Sequence, residues 1–121
     1  MGTVRLADGK YLYEFVENNI RLYGGEYVYE INRDDIRDHA GECLYEITDE
    51  DVRNAKGVYL YEIHHNLIRE YNSKYLYEII GNNVRDYGGK YILETLDLSP
   101  REIVIATILY HRDFVMNRDK S

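Results

Sequence analysis

A chain of 121 residues, 45% hydrophobic and 31% charged, has the length of one domain and the balance of a soluble one. Its formal net charge of −7 excludes a phosphate-backbone partner, since nucleic-acid binders cluster Lys and Arg, and its single Cys43 excludes an internal disulfide framework. The unusual entry is 14 Tyr against no Trp, 2 Phe and one Pro, a bias that turns out to be organised along the chain.

Met1-Gly2-Thr3-Val4-Arg5 contains no apolar run of signal-peptide length, and the longest apolar run, residues 103–110, is too short to span a bilayer. With a lone thiol that fits a reducing compartment, these features predict a soluble, cytoplasmic protein with no transmembrane segment.

Thr3-Val4-Arg5-Leu6-Ala7-Asp8-Gly9 looks like a leader but is half of a repeat. Val4-Arg5 returns every 16 residues as Ile20-Arg21, Ile36-Arg37, Val52-Arg53, Ile68-Arg69 and Val84-Arg85. Between these lies Tyr11-Leu12-Tyr13-Glu14, then Tyr27-Val28-Tyr29-Glu30, Cys43-Leu44-Tyr45-Glu46, Tyr59-Leu60-Tyr61-Glu62 and Tyr75-Leu76-Tyr77-Glu78. Tyr91-Ile92-Leu93-Glu94 begins a sixth copy that does not finish. A period without slips fixes architecture before any single residue is interpreted.

Asp8-Gly9, Gly24-Gly25, Ala40-Gly41, Lys56-Gly57, Asn72-Ser73 and Gly88-Gly89 predict a two-residue hairpin turn, whose second position favours glycine because φ is positive there. The other reversal falls at Glu17-Asn18, Arg33-Asp34, Asp49-Glu50, His65-Asn66 and Gly81-Asn82. Short segments rich in Tyr, Ile and Val, bounded by turns about every eight residues, are strands rather than helix. Two-residue turns at both ends set Glu78 opposite Arg85 and Ile79 opposite Val84 within a unit. Across the glycine turn they set Asp86 opposite Tyr91 and Arg85 opposite Ile92. One face then carries both tyrosines of Tyr-Leu-Tyr, the following Ile and the later Ile or Val. The other carries Leu, Glu, Arg and a third tyrosine (Tyr23, Tyr71, Tyr87, replaced by His39 and Ala55 in two units).

Thr95-Leu96-Asp97-Leu98 reads as a connector. Ser99, Pro100 and Glu102 then supply a cap, a first-turn proline and a capping box, which start a helix over 99–116 that is apolar almost all round. Residues 117–121 form a polar tail expected to fray. The whole is a single domain over 1–121, with hairpin repeats over 3–95.

The terminal half-repeats are complementary: placed together, with Glu94 opposite Arg5 and Thr95 opposite Val4, they make a sixth hairpin. Closing the ring removes bare sheet edges. The fold class expected is therefore all-β with one C-terminal helix, a shallow 12-stranded antiparallel barrel too wide for its own side chains and filled or capped by that helix. An inward Glu–Arg ring would desolvate its ions around an apolar helix, so the charged pairs belong outside. The predicted core is Ile31, Ile36, Ile47, Val52, Ile63, Ile68, Ile79 and Val84 against Ile105, Ile108 and Leu109. Tyrosine hydroxyls are expected to reach the rim, because a buried phenol needs a partner.

Six Tyr-Leu-Tyr-Glu-Ile…Ile-Arg hairpins followed by an apolar helix resemble the bacterial β-flower proteins, shallow symmetric barrels with hairpins as petals, over residues 3 to about 116. More distantly, the architecture resembles the tubby C-terminal and scramblase-like barrels, whose hydrophobic C-terminal helix runs through twelve strands. Tubby domains bind phosphoinositide head groups through basic residues, and that likeness implies a lipid-head-group ligand; this acidic chain has no matching Lys/Arg cluster.

No residue set has catalytic or cofactor-binding character. The Glu–Arg ladder recurs in every unit, whereas a catalytic group needs a singular environment. His64-His65 sits at a hairpin tip without further ligands at metal spacing. Asp49-Glu50-Asp51 lacks the spacing and glycine of a calcium loop. Cys43 replaces a tyrosine of the repeat and reads as a small buried thiol. Tyr23, Tyr71, Tyr87, His64 and His65 are the candidates for surface recognition. The expected function is a non-enzymatic binding or adaptor module presenting hairpin loops to a protein partner, without cofactor or metal. The alternative is a small molecule or lipid head group at the barrel mouth.

Overall fold

The computed structural model describes residues 2–116, so the expectation for the tail over 117–121 lies outside the described residues. The twelve strands are, in order, β1 (Gly2–Leu6), β2 (Tyr11–Val16), β3 (Asn19–Leu22), β4 (Tyr27–Asn32), β5 (Asp35–Asp38) and β6 (Cys43–Ile47), then β7 (Asp51–Asn54), β8 (Tyr59–His64), β9 (Leu67–Glu70), β10 (Tyr75–Ile80), β11 (Asn83–Asp86) and β12 (Tyr91–Leu96). Each pairs antiparallel with its neighbours in sequence, and β1 pairs with β12, closing the barrel. The seam register is Val4 opposite Thr95 and Arg5 opposite Glu94, so the two half-repeats form the sixth hairpin as expected. We number the hairpins 1 to 5 from β2–β3 to β10–β11.

One rim of the barrel carries the two-residue tips. Glu17, Arg33, His65 and Gly81, the first residue of four of them, adopt φ between 55° and 61°. Hairpin 3 differs: Thr48 Oγ1 accepts from Glu50 N and Asp51 N at 3.2 and 3.1 Å, a side-chain turn that takes the place of left-handed backbone. The tips are tied to one another, because the second tip residue of each hairpin accepts from the next hairpin. Ile31 N, Ile47 N, Ile63 N, Ile79 N and Thr95 N donate to Asn18 O, Asp34 O, Glu50 O, Asn66 O and Asn82 O at 2.7–2.9 Å.

At the opposite rim the glycine turns correct the expected register. Each is a three-residue loop, as in Leu6 N→Lys10 O with Gly9 N→Leu6 O, not a two-residue one. Its third residue takes φ of 83° to 102° in Gly9, Gly41, Gly57 and Gly89, the type of loop that closes with a one-residue bulge. Ile20 therefore faces Tyr29 and Arg21 faces Tyr27, with Val28 as the extra residue, and the shift recurs across every glycine rim. A one-residue slip moves side chains to the other face of the sheet. The first tyrosine of Tyr-x-Tyr consequently lies outside beside Arg, and only the second lies inside. The Leu position also departs from the charged face: Leu12 is buried, and Val28, Leu44, Leu60, Leu76 and Ile92 are half-buried against the core.

α1 (Pro100–Tyr110) starts at the tip rim with the full capping box of Ser99 and Glu102, and the chain continues as a π-helical segment, His111–Met116. Ile103, Ile105, Ala106, Thr107, Ile108 and Leu109 are buried within the barrel. They meet Val4, Ile20, Ile36, Val52, Ile68 and Val84, one per hairpin and each 0% exposed. Each such aliphatic side chain contributes about 1.5–3 kcal/mol through burial. Among the predicted core residues, Ile36, Ile47, Val52, Ile68, Val84, Ile105, Ile108 and Leu109 are buried, whereas Ile31, Ile63 and Ile79 are half-buried at the tip rim. A single helix cannot cover six equivalent rim positions equally, and it leaves these three partly open. Among the described residues, no helix is long and apolar enough to cross a membrane.

Candidate functional site

The inner tyrosines Tyr13, Tyr29, Tyr45, Tyr61 and Tyr77 form a layer, each at most 8% exposed, around the π-helical segment. The hydroxyls of Tyr13, Tyr29, Tyr61 and Tyr77 find the partners a buried phenol requires on that segment. Tyr13 donates to Asp113 Oδ2 at 2.6 Å, and Tyr29 to the same oxygen at 2.7 Å. Tyr77 OH and His111 Nδ1 are 2.6 Å apart, and Tyr61 OH lies 3.6 Å from Met116 Sδ. Arg112 pairs with Asp113 at 3.4 Å, and its positive charge faces Tyr45.

Burial, then the hydrogen bond and charge of Asp113, holds the Tyr13 and Tyr29 hydroxyls well above the ordinary phenol range. Burial and neighbouring phenols raise Tyr77, and burial with Tyr45 nearby pushes Tyr61 up to about 12. Tyr45 is raised by burial while Arg112 pulls it back. These phenols stay neutral at physiological pH. Tyr13 and Tyr29, donating to the Asp113 carboxylate, and Tyr77, sharing a hydrogen bond with His111 Nδ1, lock the last helical turn in place.

The outer face carries the other strand and loop tyrosines, while Tyr110 packs inside on α1. Tyr11, Tyr27, Tyr59 and Tyr91 are 41–44% exposed, and the loop tyrosines Tyr23, Tyr71 and Tyr87 are 50%, 43% and 77% exposed. Tyr11 stacks on Tyr23 at 4.5 Å and Tyr59 on Tyr71 at 5.0 Å. Arg5, Arg21, Arg53 and Arg69 lie over the rings of Tyr11, Tyr27, Tyr59 and Tyr75 at 4.5–5.9 Å. The bulge produces this arrangement by bringing the first tyrosine beside the outward arginine. The girdle is broken at hairpins 2 and 3, where His39, Cys43 and Ala55 replace tyrosines.

Glu14–Arg21, Glu46–Arg53, Glu62–Arg69 and Arg5–Glu94 pair at 2.9–3.6 Å, and Glu78 pairs with Arg85. Arg37 breaks the ladder by pairing with Asp35 at 3.6 Å, although Glu30 lies opposite it. Cys43 is not the buried thiol expected. It occupies the outward tyrosine position opposite Arg37, is half-buried, and its pKa is raised by burial. His64 and His65 make an edge contact, 4.6 Å between centroids, on an exposed tip. Among the described residues, no three His, Cys, Asp or Glu side chains converge on one point.

The structure thus brings Tyr23 and Tyr71 into stacked pairs and leaves Tyr87 projecting, while the histidines sit at the other rim. Sequence reasoning missed His111, Arg112 and Asp113, which it absorbed into an apolar helix. Their signal was available, since three consecutive polar residues in a segment enclosed by a barrel demand partners from its wall. The fold defines a class: a closed antiparallel barrel of hairpin repeats filled by its own C-terminal helix. No family model, curated protein or solved structure matches the chain.

Proposed function

We propose that the protein is a non-enzymatic binding or adaptor module whose outer tyrosine girdle and glycine-rim loops receive a protein partner. The observation that carries this reading is the pair of exposed stacks, Arg5–Tyr11–Tyr23 and Arg53–Tyr59–Tyr71, fixed on a closed barrel. Tyr and Arg are the residues that most often anchor protein interfaces, and rings already held by neighbours lose little entropy on binding. A small molecule or lipid head group at the mouth would compete for space with the segment His111–Met116, which the inner tyrosines hold in place.

The test compares cross-linked partner capture by the native chain with capture by a Tyr71→Ser/Tyr87→Ser variant. Both side chains are exposed and Tyr71 loses only its stack on Tyr59, so the melting temperature should fall by a few degrees at most while a specific captured protein is lost. Equal capture by both chains, or a saturable thermal shift with a metabolite or phosphoinositide and no captured protein, sinks the reading.

A further inference from the structure

The glycine-rim loops of the five hairpins are of two kinds. After Leu22 and Glu70 the loop tyrosine docks on the first strand of its hairpin: Tyr23 N donates to Leu12 O and Tyr71 N to Leu60 O, both at 3.0 Å. Its ring then stacks on the outward tyrosine of that strand, Tyr23 on Tyr11 and Tyr71 on Tyr59. After Asp38, Asn54 and Asp86 the loop folds onto that side chain instead. Glu42 N donates to Asp38 Oδ1 at 2.9 Å, Val58 N to Asn54 Oδ1 at 3.0 Å and Lys90 N to Asp86 Oδ1 at 3.0 Å. A short polar side chain that binds backbone N–H groups offers the chain an alternative to the strand ladder. Among the described residues, His39, Ala55 and Tyr87 make no backbone bond like those of Tyr23 and Tyr71.

Hairpins 2 and 3 have His39 and Ala55 in the loop and so lose no tyrosine stack. Hairpin 5 alone combines a self-capped loop with both tyrosines. Tyr87 is 77% exposed and stacks on no ring, although Arg69 lies over Tyr75 at 5.9 Å just as Arg5 and Arg53 lie over Tyr11 and Tyr59. Tyr75 and Tyr87 instead border a cleft of about 300 Å³, lined also by Leu67, Asp86 and the paired Glu78 and Arg85. What suits the place beside Tyr75 is shown by its two counterparts, each covered by a tyrosine ring inclined at only 21°. Stacking of this kind adds to what burial of the ring supplies. The one hydrogen bond to Lys90 N leaves the Asp86 carboxylate with acceptor capacity for a ring that bears an O–H or N–H.

We propose that this cleft receives a tyrosine or tryptophan side chain of a protein partner, its ring stacked between Tyr75 and Tyr87 and its donor turned to Asp86. The proposal rests on the reading of the outer girdle as a partner surface and names the residue type that one contact takes.

The experiment titrates the isotope-labelled full chain with N-acetyl-tryptophan amide and N-acetyl-tyrosine amide and follows backbone amide shifts. Saturable shifts confined to Tyr75–Tyr77 and Arg85–Gly89 are expected, with half-saturation on the order of millimolar for such small probes. N-acetyl-leucine amide should give none, and N-acetyl-arginine amide should bind more weakly than either ring. Tyr87→Ser removes one wall at an exposed position and should raise half-saturation at least about threefold. Asp86→Leu copies hairpin 1, so Tyr87 should fold onto Tyr75 and nuclear Overhauser contacts should appear between the two rings. With the loop closed over the site, half-saturation should rise at least about tenfold. No saturation by either aromatic amide, equal shifts with leucine, tighter binding of arginine, or an unchanged titration in Tyr87→Ser overturns the assignment. A native dimer that Tyr87→Ser dissociates in sedimentation would make a second copy of the chain the occupant, and overturns it too. If the probes fail while the Tyr71→Ser/Tyr87→Ser variant still loses its partner, the cleft falls and the module stands. If they bind while that variant captures normally, the ring-binding cleft stands and the girdle reading falls.

Discussion

Tyr29 and Tyr27 are two residues apart in one strand, yet they live by opposite rules. Tyr29 is 7% exposed and donates to Asp113 at 2.7 Å, while Tyr27 is 44% exposed with Arg21 above its ring at 5.9 Å. The inner layer is held by burial and by hydrogen bonds with no water to replace them. The outer girdle is held by ring stacking and cation–π contact in view of solvent. A bulge, not a change of residue type, decides which rule applies, and so a tyrosine of this repeat can be interpreted only after its register is known.

The comparison is broken most severely by removing what the inner layer surrounds. Deleting residues 99–121 should abolish cooperative melting by circular dichroism, since Val4, Ile20, Ile36, Val52, Ile68 and Val84 would line an open lumen. A truncated chain that melts like the native one would show that the inner layer needs no helix. Next in size, Tyr29→Ala should cost about 3–5 kcal/mol in urea unfolding, as large-to-small aromatic changes in cores do. Tyr27→Ala should cost about 1 kcal/mol or less, the scale of an exposed cross-strand and cation–π pair. Equal costs would erase the distinction.

Alkali sharpens it further. A phenol whose folded pKa is raised keeps its proton longer in the folded state, so its stabilisation is whole below the unfolded value of about 10 and is lost as pH rises through the folded value. Tyr61 is pushed up to about 12, and Tyr13, Tyr29, Tyr45 and Tyr77 are also raised. Stability should be flat to about pH 10 and then fall by about 1.4 kcal/mol per pH unit for each inner phenol. In a chain without Trp, the late phenolate absorbance should appear together with unfolding. Loss of stability beginning well below that pH would show that other groups dominate. The smallest effect belongs to the outer ladder: Glu78→Ala, breaking the pair with Arg85, should shift unfolding by about 1 kcal/mol or less.

Much of the fold was legible because the repeat is strict. Complementary half-repeats at residues 3–9 and 90–95 gave the closure, Ser99-Pro100-Arg101-Glu102 gave the helix start, and charge desolvation put Glu and Arg outside. The glycine rim was misread because a two-residue turn and a three-residue loop with a bulge use the same glycine and differ only in what pairs beyond it. Volume and polarity could have decided the matter. Turning both tyrosines of every Tyr-x-Tyr inward would crowd the rings against one helix that offers few hydrogen-bond partners. The clamp of Arg101 on hairpin 2 was invisible in another way: it reaches Arg33 O, Asp34 Oδ1 and Ile47 O, three acceptors that no sequence spacing connects.

The seam between β1 and β12 has a kinetic consequence. Every other strand pair joins neighbours in sequence, so nearly all of the sheet is built from contacts of low contact order, which form quickly. The seam alone joins distant positions, Val4 to Thr95, and the loop-closure entropy of about 4 kcal/mol for such a span falls on that single event. Refolding should therefore divide into fast growth of successive hairpins and one slow ring closure. Because α1 comes directly after β12, its docking inside the ring belongs to the slow step.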